Sequence, residues 1–103
     1  MARSKRFHPH IEAAGRLQFD IEQFFEEGIC TISTMNQASK LLGSITRCFM
    51  NDAPGIETHL KKLEEIREAL YQKYVKKGGD RVKMENDLAR TWHFRCNHKN
   101  PFI

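Results

Sequence analysis

The run Ile56-Glu57-Thr58-His59-Leu60-Lys61-Lys62-Leu63-Glu64-Glu65-Ile66-Arg67-Glu68-Ala69-Leu70-Tyr71-Gln72-Lys73-Tyr74-Val75-Lys76-Lys77 decides the fold. Ile56, Leu60, Leu63, Ile66, Leu70 and Tyr74 recur at helical spacing, so they line one side of a helix instead of alternating as in a strand. Charges take the other side. Glu57 stands one turn before Lys61, and Glu64 nearly one turn before Arg67, pairs that contribute about 0.3 kcal/mol each. Lys73, Lys76 and Lys77 suit the negative end of the helix dipole. With Asp52 as the predicted N-cap and Pro54 in the first turn, the helix spans 53–77 and is roughly 37 Å long.

Asn51-Asp52-Ala53-Pro54-Gly55 separates it from a second predicted helix, 33–50. There Met35, Ala38, Leu42, Ile45 and Phe49 form a seam, with Leu41 and Cys48 beside it. Thr34 and Gln37 have capping-box spacing. Ser39, Gly43, Ser44 and Thr46 make the opposite face small and lightly polar, which suggests a central helix buried on most sides, with an exposed docking face as the alternative. A first helix, 8–27, carries Ile11, Ala14, Leu17, Ile21, Phe24 and Phe25 on one stripe. Pro9 suits its first turn and Gly28 its stop. Phe19 falls off the stripe and predicts a second contact face. Beyond Gly78-Gly79, Asp80 caps a fourth helix, 81–96, on which Val82, Leu88, Ala89, Trp92 and Cys96 lie near one stripe. The predicted fold is all-α, a small compact helical bundle of about four helices. It forms one domain over 1–103, with a short basic arm (1–7) and a tail (97–103).

The chain has 103 residues, 40% of them hydrophobic and 29% charged, the balance of a globular domain rather than a disordered chain. No apolar run approaches the roughly 18 residues of a membrane span, and the basic start has no apolar stretch behind it. Cys30, Cys48 and Cys96 are odd in number and widely spaced, unlike a disulfide framework. A cytoplasmic, reducing location is expected. The formal net charge is +4, compatible with acidic partners but too small to demand them. The charge is uneven: residues 7–28 hold Glu12, Asp20, Glu22, Glu26 and Glu27 against Arg16, whereas both chain ends are basic.

The sequence holds no catalytic set. Gly43-Ser44 lacks the nucleophile-elbow pattern, and Gly78-Gly79 lacks the lysine of a phosphate loop. Cys30 lies near a helix start, where thiol pKa values fall, but it has no committed histidine partner. His93, Cys96 and His98, with the pair His8 and His10, include donor types that zinc accepts, yet paired Cys-x-x-Cys spacing is absent. No metal or cofactor is expected. The densest constellation is Arg90-Thr91-Trp92-His93-Phe94-Arg95-Cys96-Asn97-His98-Lys99. Successive helical residues point about 100° apart, so Trp92 turned inward leaves Phe94 facing elsewhere. Arg90, Phe94, Arg95 and Lys99, together with Arg3, Lys5 and Arg6 of the arm, are the candidate partner-binding residues. An exposed aromatic among arginines suits a protein hot spot, and the same groups can stack on bases and neutralise phosphates. The expected function is a non-enzymatic regulator, adaptor or inhibitor that binds a larger protein. Nucleic-acid binding through the basic ends is the alternative. Oligomeric state is left open.

Reducing agent is expected to leave the melting temperature unchanged in calorimetric scans. A marked fall on reduction would reveal a structural disulfide and overturn the compartment assignment.

Overall fold

The computed structural model describes residues 9–99, with side chains described as far as Cys96. Four helices follow one another: α1 (Pro9–Glu26), α2 (Ile32–Met50), α3 (Ile56–Lys76) and α4 (Arg81–Lys99). There is no strand among the described residues. The all-α bundle predicted from periodicity is therefore the fold.

α1, α2 and α3 pack against one another, and α4 lies against α1 and α3. α1 touches all three other helices. Ala14, Leu17, Ile21 and Phe24 of its predicted stripe are all buried. They meet Ala38 and Ile45 of α2, and Leu60, Leu63, Leu70 and Tyr71 of α3. Phe24, fully enclosed, packs edge-on against Tyr71 and Tyr74, with ring centroids 4.9 and 5.9 Å away. Phe19, on the opposite side of α1, is buried as a second contact face, because α4 covers it there.

Local signals set the helix ends. α1 stops at Gly28 (φ 78°), and the amides of Gly28 and Ile29 donate to the carbonyls of Phe25 and Phe24. This is the Schellman pattern, in which a left-handed residue turns the chain back onto the last helical carbonyls. α3 ends the same way at Gly78, where Gly78 and Gly79 donate to Val75 and Tyr74. A Cβ at Gly79 would collide with the Tyr74 ring, so the second glycine provides clearance for an aromatic of the core. α2 ends on Asp52, not on a glycine, at φ 53°. A short polar side chain tolerates that conformation better than most. The amides of Asp52 and Ala53 donate to Phe49 and Cys48.

Several sequence expectations are corrected. Asp52 does not cap α3. It is left-handed, and the N-cap is Gly55 at φ 111°, so α3 starts at Ile56 rather than 53. The cap of α2 is Thr31, whose hydroxyl accepts from the Thr34 amide at 3.2 Å, in place of the Thr34–Gln37 box. α4 runs to Lys99, so the expected tail begins later. Pro101 disfavours helix at the residue before it, and the helix reaches close to that limit. α2 is not buried on most sides: only Ala38 and Ile45 are buried, and Leu42 is half-buried. Neighbours cover only one side of this helix. Phe25 and Val82 leave their stripes with 41% and 66% exposure, and Cys96 is exposed. Both apolar residues stand at the edge of a stripe, where a small rotation of the helix turns them to solvent.

A buried charge fastens α1 to α3. Asp20, 1% exposed, accepts from Arg16 Nε at 3.1 Å and from Arg67 Nη1 at 3.0 Å. Arg67, predicted to pair with Glu64, thus spans two helices instead. Stripping the carboxylate from such a site leaves cations without their partner, at about 3–5 kcal/mol. Asp20→Ala is expected to cost about 3 kcal/mol, at the low end of that range because both arginines keep partial contact with water. Urea denaturation measures it, and a loss below about 1 kcal/mol would show that the pair does not anchor the bundle.

Candidate interaction site

The candidate site lies on α4, so the attachment of that helix comes first. Asp80 caps it as predicted, its Oδ1 accepting from the Lys83 amide at 3.2 Å. Arg81, the first helical residue, is held on several sides. Its terminal nitrogens donate to both oxygens of Glu68 on α3 at 2.6 and 2.8 Å, and Nε donates to Glu85 at 2.8 Å. Its guanidinium also lies 4.7 Å from the Tyr71 ring centre. Two parallel bonds to one carboxylate fix orientation as well as charge. They hold the Glu68 carboxyl below its ordinary range. Leu88 is buried at the middle of the helix.

Further along, Trp92 crosses α1 at Gly15. A Cβ there would meet the indole at 3.6 Å, so alanine fits and a longer side chain would push the ring away. The indole lies 5.4 Å from the Phe19 ring, and the Arg95 guanidinium lies 5.5 Å from the centre of that same ring. Glu12 and Glu22 line this α1–α4 cleft. The acidic first helix and a basic residue of the fourth therefore meet.

The predicted site divides into two. Arg90 and Phe94, one turn apart, face outward; Phe94 is 60% exposed. Arg90 is exposed and pairs with Asp87 at 3.3 Å. Arg95 is also exposed, with its guanidinium over the Phe19 ring at the α1–α4 cleft. Lys99 closes α4, but its side chain lies outside the described residues, as do Arg3, Lys5 and Arg6 entirely. Of the acidic residues on α1, Asp20 is buried in its arginine pair and has no surface to offer a partner.

Burial pushes the Cys30 thiol up, partly offset by Lys73, which is the opposite of an activated nucleophile. The three cysteines are free. His93 and Cys96 lie exposed on α4, and His10 sits at the start of α1, 3.5 Å from Glu57. Among the described residues, no group of three His, Cys, Asp or Glu side chains is arranged to hold a metal ion. No described helix is long and apolar enough to cross a membrane. No protein-family model, curated protein or solved structure matches the chain.

Sequence reasoning missed the cross-helix arginines. Arg16 one turn before Asp20 was a legible signal for half of the buried pair. Nothing local indicated that Arg67 completes it, or that Arg81 reaches back to Glu68. Together these groups line a charged cleft of about 750 Å³ between α1, α3 and α4, with Tyr71 beneath it. Burial, with smaller contributions from Asp20 and Glu85, pushes the Tyr71 hydroxyl up to about 12 from an ordinary value of 10.0. A group whose folded pKa is raised contributes stability that is intact below the unfolded pKa and is lost as pH rises through the folded one. Stability is thus expected to fall between about pH 10 and about pH 12. A tyrosinate absorbance step near the upper limit should be missing in Tyr71→Phe. If that variant shows the same late step, the assignment to Tyr71 is wrong.

Proposed function

We propose that the chain is a non-enzymatic regulator, adaptor or inhibitor that docks on a larger protein through the outward face of α4. The observation that supports this reading is Phe94, a large aromatic side chain left 60% exposed on a helix whose opposite side is tied down. Arg81, Leu88 and Trp92 hold α4 at its start, its middle and beyond. An aromatic displayed on a fixed element loses little freedom on binding, and with an arginine one turn away it has the composition of an interface hot spot.

Nucleic acid is the second reading: Arg95 is exposed beside Phe19 and keeps its charge, and Arg3, Lys5 and Arg6 of the basic arm add to it.

The test is Phe94→Ala with Arg90→Ala, which leaves the contacts of Arg95 in place. Capture of the partner from the native host, with and without nuclease, should fall at least tenfold while helix content stays unchanged. Losing an anchor of this kind costs ~2 kcal/mol or more of binding. Normal capture by the double variant would place the contact elsewhere. A nuclease-sensitive partner whose affinity falls steeply with salt would replace the protein reading with the nucleic-acid one.

A further inference from the structure

A second surface lies on the side of the bundle formed by α2 and α3, and it does not depend on Phe94. The two helices leave a shallow groove of about 500 Å³ between them, floored by Leu41 of α2 and by Ile66 and Ala69 of α3. It continues past Ile66 and Ala69 into a smaller hollow of about 270 Å³ that ends at Lys73. Lys62, Ile66, Ala69 and Lys73 recur along one side of α3. The distance from Lys62 to Lys73 is roughly 16 Å, about three helical turns.

The rim of this groove carries charge of mainly one sign. Lys40, Lys62 and Lys73 border it, against Glu65. No Asp or Glu occurs anywhere between Gly28 and Asn51, so α2 brings no acid to its side. Lys73 is already positioned, because its Nζ donates to the Ile29 carbonyl at 2.8 Å. A groove three turns long, apolar in its middle at Leu41, Ile66 and Ala69 and bordered by lysines at both ends and on the α2 side, matches one ligand shape. Helix-in-groove recognition inserts apolar side chains at successive turns and leaves the flanks to charge. We infer that this groove docks an amphipathic helix of a partner protein, one whose apolar stripe is flanked by acidic residues. Nucleic acid fits less well, since an apolar floor offers nothing to phosphates.

A display library tests this with the full chain. Sixteen-residue helices would carry Leu, Ile, Met or Phe on one stripe, and Glu or Lys chosen freely at the flanking positions. Selection should enrich glutamate at the flanks. Synthetic peptides of the enriched sequence should bind at least tenfold more weakly to Ala69→Glu, which places a long charged side chain on the exposed floor. The same peptides should also bind at least tenfold more weakly to Lys40→Glu with Lys62→Glu. Both variants change exposed helical positions, and circular dichroism verifies their folding. Phe94→Ala should bind these peptides normally, which separates this site from the α4 face. The inference is overturned if no sequence is enriched, if lysine flanks prevail, or if binding survives both groove variants. It is also overturned if sedimentation shows a dimer of the chain that Ala69→Glu dissociates, because the occupant would then be a second copy.

Discussion

A carboxylate taken out of water has to be paired, and Asp20 constrains this bundle more than any other single group. Hydrophobic burial brings α1 and α3 together, but it tolerates sliding and rotation. The carboxylate does not. With Arg16 on its own helix and Arg67 on the next, it accepts a narrow range of relative positions for α1 and α3. A buried ion pair adds little net stability compared with a well-packed apolar substitute. Its contribution here is to favour one alignment of the two helices over neighbouring ones.

Once that alignment is set, the next row of α3 is also placed. Tyr71, one turn beyond Arg67, is buried beside Phe24, and Glu68 stands ready to receive Arg81. Arg81 then directs the start of α4, while Gly15 and Phe19 on the far side of α1 receive Trp92. α4 is only weakly amphipathic, with Leu88 as its buried residue. Polar and aromatic contacts to α1 and α3 carry its attachment, and those contacts set which of its side chains face outward.

Two surfaces result, on different parts of the molecule. The α4 face displays Phe94 and Arg90 because Trp92, on another side of the helix, is turned toward α1. The α2–α3 groove stays open because α4 packs across α1 and α3. The proposed docking role rests on the first surface, the aromatic anchor of α4, and the inferred helix site on the second, the basic-rimmed apolar groove.

Helix number and type were legible along the chain because hydrophobic periodicity is a local property. The stop at Gly28, the cap at Asp80 and the second contact face at Phe19 were readable for the same reason. Each depends on residues within a turn or two. Errors arose where a local pattern had competing uses. Asp52 suits an N-cap and also tolerates the left-handed turn that it adopts, and Phe25 and Val82 sit at stripe edges. The partners of Asp20 and Arg81, the contact of Arg95 with Phe19 and the exposure of α2 could not be read from spacing. They depend on which helix faces meet across long sequence separations. Helical periodicity specifies the apolar side of each element, but packing and the pairing of buried charge choose the neighbour it turns toward.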